Sequence, residues 1–278
     1  MSAGSFKRLS DRIAGGLVVA VLALGLLFLM VPLVVTCLMA FDARSFLGPL
    51  PPPAYSLRWF ERLVTQDYIA SGLRVSLILA VSSTAITALL GTAAALALAR
   101  GHFPGRAMLT SLFLSPLVVP PVVIGFGLLL FLSRMGIIDG MARLLVGHII
   151  ITLPYAIRAS LASVLGQDQR LTEAALILGA TEQQAFWSVT LPLIRTGIIT
   201  GAVFTFAVSM DDVAVSLFLS DPSATPLPVA LVSHMRASFD LTIAAVAVVF
   251  MAATVLLIFI LERAVGFDRV LGQGLFRS

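Results

Sequence analysis

Near the end of the fifth apolar stretch of this 278-residue chain stands Ser209-Met210-Asp211-Asp212. An ionised carboxylate is costly to hold in hydrocarbon, and where one occurs it faces a cavity, a partner charge or water. The chemistry open to such a pair is attraction of a cation rather than bond breaking. Neighbouring helical positions are ~100° apart, so the two acids cannot point the same way. Two arrangements fit. In one, an acid faces a solvated pathway while the other meets a polar neighbour or the backbone. In the other, the helix ends early and both acids are hydrated. A structural anchor through Arg74 or Arg236 is a further use of the charge. Ser209 in the preceding turn and Pro120, in an earlier proline-rich stretch, join Asp211 and Asp212 as candidate pathway residues.

The second stretch is 168–192, DQRLTEAALILGATEQQAFWSVTLP, the longest polar interruption in the second half of the chain. Its pattern predicts two short helices with a break. Thr172 caps the first, with Glu173 favourable in the first turn. Leu171, Ala174, Ala175 and Leu178 form a small apolar face at helical spacing. Gly179 stands where a glycine releases a helix in left-handed conformation. Thr181 caps the second helix, which runs through Ala185 and Trp187. Pro192 fits the first turn of the apolar helix that follows. A loop that only joins two apolar runs does not need this much order, so the pattern fits a docking surface.

Other chemistries lack their residues. There is no GxxxxGK[ST] phosphate loop, no HExxH and no GxSxG nucleophile elbow. His102, His148 and His234 have no ligand spacing and read as interfacial or packed side chains. The one cysteine, Cys37, lies in an apolar run, which excludes a disulfide framework and a cysteine metal site.

The elements that position these residues follow from composition. Hydrophobic residues make up 59% of the chain and charged residues 12%, far from the balance of a soluble domain. They fall in runs of about 20 or more, the length that crosses ~30 Å of hydrocarbon as a helix. The net charge of +4 comes from scattered arginines beside those runs and does not point to nucleic acid. The expected spans are 13–40, 69–99, 107–132, 141–165, 193–219 and 241–261. The first run is too long for a cleaved signal peptide. Residues 41–68 are polar and proline-rich, with Leu57, Phe60, Leu63 and Val64 forming one face of a short surface helix over 56–68. Pro116, Pro120 and Pro121 predict that the third span is bent or interrupted, tolerated where protein or water satisfies the freed carbonyls. Small residues from Ser76 to Ala95 allow close helix approach in the second.

Six spans put both termini on one side. Eleven of the eighteen Arg and Lys residues fall on the side with the termini, Gly101 and Thr181, which marks it as cytoplasmic. Positions near Pro52, Ile138 and Ser223 are then external.

Glu173-Ala174-Ala175, Gly179 and Leu191-Pro192 resemble the EAA loop of ABC importer permeases. The resemblance extends over most of the chain from Tyr55. SMDDVAVSLFLS resembles the S-L-D-D-F segment of spermidine/putrescine-type permeases. SPLVVPPVVIGFGLLL, HIIITLPYAIRASLASV and YSLRWFERL resemble their third span, fourth span and outer segment. Arg74, before Val75-Ser76, departs from the family pattern, which has Asn-Ser there, and this leaves opines and amino acids such as γ-aminobutyrate open beside polyamines. The resemblance implies an all-α membrane protein with six transmembrane helices, a cytoplasmic coupling helix and the MetI-like permease fold. It implies a tail and first helix over 1–40, an extracytoplasmic segment over 41–68, a permease core over 69–263 with its coupling loop at 168–192, and a cytoplasmic tail over 264–278. Glu173, Ala174, Ala175, Gly179, Leu191 and Pro192 are the implied ATPase-coupling residues. The implied protein is not an enzyme and holds no cofactor, ATP and Mg being bound by a partner ATPase. The implied partners are a second homologous permease subunit, two ATPase subunits, an extracytoplasmic substrate-binding protein and the bacterial inner membrane. The competing classes are a secondary transporter or channel without an ATPase, an importer of a non-amine substrate, and an exporter or assembly protein. Internal inverted repeats would favour the secondary transporter, and none is visible.

Overall fold

Long apolar runs satisfy every backbone group internally only as helices, and helices are what the chain forms. The computed structural model describes residues 3–101, 103–238 and 240–265. His102 and most of the expected C-terminal tail lie outside them. Among the described residues the helices are α1 (Ala3–Ala40), α2 (Arg58–Thr65), α3 (Asp67–Arg100), α4 (Arg106–Leu114), α5 (Pro121–Arg134), α6 (Gly140–Leu165), α7 (Arg170–Ile177), α8 (Glu182–Ala185), α9 (Leu191–Asp211), α10 (Ser216–Leu219), α11 (Leu227–Ala237) and α12 (Thr242–Val265). Extended pairing among these residues is confined to isolated bridges.

Among the described residues five runs are long and apolar enough to cross a membrane: Gly15–Ala40, Asp67–Arg100, Gly140–Leu165, Glu182–Asp211 and Thr242–Phe259. A sixth exists when Arg106–Leu117 and Pro121–Arg134 are taken as one span, and these meet at 104°. The prolines set that corner. Pro116 lies in a short 3-10 turn, Ser115–Leu117. Pro120 precedes Pro121, which forces it out of the helical region to φ −55°, ψ 131°.

The fifth span departs from its expected bounds at both ends. It is continuous with α8 through a wide π-type turn at Phe186–Thr190, where the Leu191 N–H reaches back to the Phe186 carbonyl. Pro192 has no N–H to offer the preceding turn, and the widened turn absorbs the missing bond. At the other end α9 stops at Asp211 rather than continuing to Leu219, and Asp212 is extended at φ −69°, ψ 120°. The Asp212 side chain competes for the backbone by accepting from N–H groups further along.

The chain divides into two compact units. One comprises residues up to Thr65 with Ser238–Ala252. Its core is Ala40, Trp59, Leu241 and Ala245, with Phe60 and Leu63 packed against them. Trp59 is 1% exposed and donates its indole N–H to the Asp42 carbonyl at 2.7 Å. Arg58 and Arg62 stack on its ring at 4.6 and 4.9 Å, and Arg62 pairs with Asp240 at 2.9 Å. The expected face of α2 is therefore rotated. Leu57 and Val64 are exposed, and Trp59 takes the buried place because its N–H finds a buried acceptor. Asp42 closes the adjoining turn through Arg44, whose side-chain hydrogen bonds hold the carboxyl below its ordinary range.

The second unit comprises Gln66–Ala237 with the described residues from Ala253 onward. Its centre is α3, α6 and α9, and small residues set their spacing. A Cβ on Gly91 would stand 2.7 Å from the Ala156 Cβ, and one on Gly201 would stand 3.1 Å from the Ala156 Cα. Both neighbouring helices thus close on Ala156 of α6, the approach that small residues permit between membrane helices. Leu79, Leu144, Ile151, Val215, Leu219 and Ala224 form the apolar cluster that seats α10.

Candidate functional site

At the end of α9 the two acids part company. Asp211 is exposed, and among the described residues no side chain or backbone group hydrogen-bonds or ion-pairs with it. The Asp212 carboxylate is 7% exposed. It accepts from the N–H of Ser216 at 2.8 Å and of Val215 at 3.4 Å, closing the turn into α10. Neither Arg74 nor Arg236 pairs with either acid among the described residues. Residues 200, 204, 207 and 211 recur at helical spacing along α9, and Phe204, Ala207 and Asp211 are exposed. Asp211 thus ends an uncovered stripe, whereas Asp212 turns inward.

Ser209 is also turned inward and belongs to a buried polar knot. His148 of α6 has no exposed surface. Its Nδ1 lies 2.7 Å from Ser209 Oγ and its Nε2 lies 2.9 Å from Ser216 Oγ. Ser83 of α3 donates to Ser209 Oγ at 3.2 Å, and Asp212 Oδ2 stands 3.9 Å from His148 Nε2. One imidazole therefore ties together α6, α9 and α10, with α3 joined through Ser209. His148 is packed, as its sequence context suggests. What sequence reasoning missed is its partners. The available signal was the pair of hydroxyls, Ser209 and Ser216, bracketing an acid, since a buried imidazole needs a partner for each nitrogen. Pro120 lies apart from this knot, exposed at the corner between α4 and α5.

The 168–192 segment is ordered. Gly179 has φ +92°. The N–H of Ala180 bonds to the Ala175 carbonyl and that of Gly179 to the Leu176 carbonyl, both at 3.0 Å. This is a Schellman ending for α7, and it needs a residue that adopts positive φ without strain. Thr181 and Gln184 form a reciprocal capping box at α8. The expected cap at Thr172 is not formed, because α7 begins earlier, at Arg170, where the Asp168 carboxylate accepts from the Arg170 N–H at 3.0 Å. Thr172 instead faces Thr190 at 3.4 Å, and Thr190 accepts from Arg100 at the end of α3 at 3.2 Å. The loop is thereby fastened to both α3 and α9. Glu173 and Ala174 are exposed and Ala175 is half-buried. Leu171, Ile177, Leu178 and Trp187 are exposed large apolar residues, Ile177 and Leu178 at 85% and 88%. Leu191 is half-buried and Pro192 exposed at the start of α9.

A third carboxylate, Asp221, organises the turn after α10. It accepts from the Ser223 hydroxyl at 2.6 Å, from the N–H groups of Ser223 and Ala224 at 2.8 and 2.9 Å, and from the Gly140 N–H at 2.8 Å. The Ser223 hydroxyl, and then these N–H donors, hold its carboxyl below the ordinary carboxylate range.

Residues 88–267 match the family described as binding-protein-dependent transport system inner membrane component. The putrescine transport system permease protein PotI of Escherichia coli (strain K12) is 31% identical over 242 residues, covering 84% of this chain and 85% of that protein. The spermidine/putrescine transport system permease protein PotC of Shigella flexneri is 28% identical over 260 residues, covering 94% of this chain and 96% of the relative. Among solved structures, a bacterial ABC transporter involved in the import of the acidic polysaccharide alginate matches with TM-score 0.69. It is 18% identical and covers 94% of this chain and 98% of its own, a likeness of fold.

Proposed function

Because this chain belongs to the family of binding-protein-dependent transport system inner membrane components, we propose that it is the permease subunit through which an ABC importer moves a small organic amine. ATP hydrolysis belongs to a separate ATPase subunit. The partners in this reading are a second, homologous permease, two ATPase subunits and an extracytoplasmic binding protein. The side bearing α7 faces the cytosol, in keeping with the Arg and Lys bias, and both termini lie on that side.

The observation that carries the amine reading is Asp211, an exposed carboxylate without a partner among the described residues, at the end of the uncovered stripe on α9. Relatives named for putrescine and spermidine transport point the same way. One acid attracts a passing ammonium without trapping it, as conduction requires. Asp212 and Ser209 support the pathway from behind, by fixing where α9 ends. Pro120 and the 104° corner set how α5 departs from the membrane end of α4.

At the other end of α9, α7 is the element that meets the ATPase. Its exposed Ile177 and Leu178 offer the apolar contact, and Glu173, Ala174, Ala175 and Gly179 shape it. Leu191, Pro192 and the Thr172–Thr190–Arg100 chain carry its displacement into α9 and α3. Uptake assays on the assembled complex in proteoliposomes test this reading. Asp211→Asn is expected to lower amine uptake at saturating binding protein with assembly intact. Undiminished uptake overturns the pathway assignment.

A further inference from the structure

The uncovered stripe of α9 carries a second charged feature. A cavity of ≈ 350 Å³ is lined by Leu117, Tyr155, Arg158, Ala159, Thr200 and Phe204. Thr200 and Phe204 precede Asp211 by eleven and seven residues, which puts both within ~20° of it around the helix and roughly 10–17 Å along it. The cavity therefore lies on the same face as the acid, deeper toward the α7 end.

Arg158 is the charge in this cavity. It belongs to α6, and among the described residues nothing hydrogen-bonds or ion-pairs with it. It is exposed and sits seven residues, about 10 Å, before the end of that helix. A guanidinium keeps its charge and presents a planar fork of donors that matches a carboxylate. Tyr155 and Thr200 add hydroxyls beside it, while Leu117 and Phe204 supply apolar wall. Ionisable groups inside spanning segments ordinarily face partners or water-filled paths. Here the open partner position is the cavity itself.

We propose that Arg158, Tyr155 and Thr200 form an anion-recognising site in the transport pathway, so that the substrate class is a small amine that also carries a carboxylate. This rests on the reading of the α9 stripe as pathway-lining. The two charged stations are too far apart for one small molecule to bridge, so they act in sequence. Asp211 meets the ammonium, and Arg158 then meets the carboxylate. A substrate carrying only positive charge is repelled at the second station, because among the described residues no acid lines the cavity to neutralise the guanidinium. A zwitterion finds a counter-charge at each.

The test uses the complete complex, with binding protein, in ATP-loaded proteoliposomes. The probes are γ-aminobutyrate and putrescine, matched in chain length and in one amine and differing in carboxylate against second amine. The wild-type complex is expected to take up γ-aminobutyrate. Arg158→Gln is expected to lower that rate at least tenfold and to leave putrescine uptake unchanged or raised, while Arg158→Lys recovers part of the lost rate. A wild-type complex that moves putrescine but not γ-aminobutyrate, or neither, overturns the proposal. So does an Arg158→Gln variant that leaves both rates unchanged, or lowers both together with complex yield, the outcome expected if an acid of the second permease neutralises Arg158. Asp211→Asn separates the two levels. If it lowers uptake while Arg158→Gln is silent, the pathway reading stands and the anion site falls. If it is silent as well, the pathway reading falls with it.

Discussion

His148 Nδ1 and Ser209 Oγ meet 2.7 Å apart across the interface of α6 and α9, in a place with no exposed surface on the imidazole. With Nε2 held by Ser216, the ring fixes both the end of α9 and the start of α10. The exposed Asp211 stands between these two hydroxyls in sequence, so its position depends on a side chain some 60 residues earlier.

His148→Ala removes that brace. It leaves a cavity, removes one of the two side-chain contacts of Ser209 and takes the imidazole from Ser216, a loss of about 2–4 kcal/mol. The thermal unfolding midpoint of the purified complex is expected to fall. Ser216→Ala, which removes one bond, is expected to cost about 1 kcal/mol. An unchanged midpoint in His148→Ala would show that the knot does not hold the helices.

The two acids are expected to separate by assay. Asp212→Ala deletes the acceptor for the Val215 and Ser216 N–H groups and should lower stability by about 1–2 kcal/mol. Asp211→Asn touches no hydrogen bond among the described residues, so it should leave the unfolding midpoint unchanged and reduce uptake. The comparison is made on one preparation, by uptake and by thermal unfolding.

Gly179→Val places a β-branched residue at φ +92°. Nothing lies within 4 Å of the added Cβ, so the effect is conformational rather than a clash. The strain is about 1–2 kcal/mol and acts locally on the Schellman ending of α7. Binding-protein-stimulated ATP hydrolysis is expected to fall while the spanning core keeps its stability. Normal stimulation would count against α7 as the coupling element.

Asp221 gives a pH signature. Its folded-state carboxyl lies below the ordinary value near 3.8. The stability it contributes is therefore present above that value and lost as pH falls through the lower folded value. Asp221→Asn should be less stable than wild type by about 1–2 kcal/mol at neutral pH, discounted for solvent screening. The gap should narrow as pH falls below the ordinary carboxylate value. Thermal midpoints of both forms across an acid series check this, and a gap independent of pH would remove the charge from the account.

The expectations that survived the fold were local in origin. Apolar run length fixed five of the long helices among the described residues, because only a helix satisfies the backbone in hydrocarbon, while the third run folds as two helices rather than one. Gly179 and Thr181 were legible because a helix ending and a helix start are decided by residues within a few positions of each other. The prolines at 116, 120 and 121 announced a break for the same reason, though not its 104° angle. What only the tertiary structure decided were the long-range pairings. Thr172 looked like a cap but became a link to Thr190, since Asp168 had already claimed the start of α7. Trp59 displaced Leu57 and Val64 from the buried face of α2 because its N–H found the Asp42 carbonyl. The fifth span stopped at Asp211 through a local contact, Asp212 turning back on the N–H groups of Val215 and Ser216, but the His148 knot that surrounds this turn is long-range. Hydropathy and periodicity carry no information on which buried hydroxyl an imidazole in another helix will meet. That is settled by which helices approach closely enough, and here Gly91 and Gly201 closing on Ala156 set the approach.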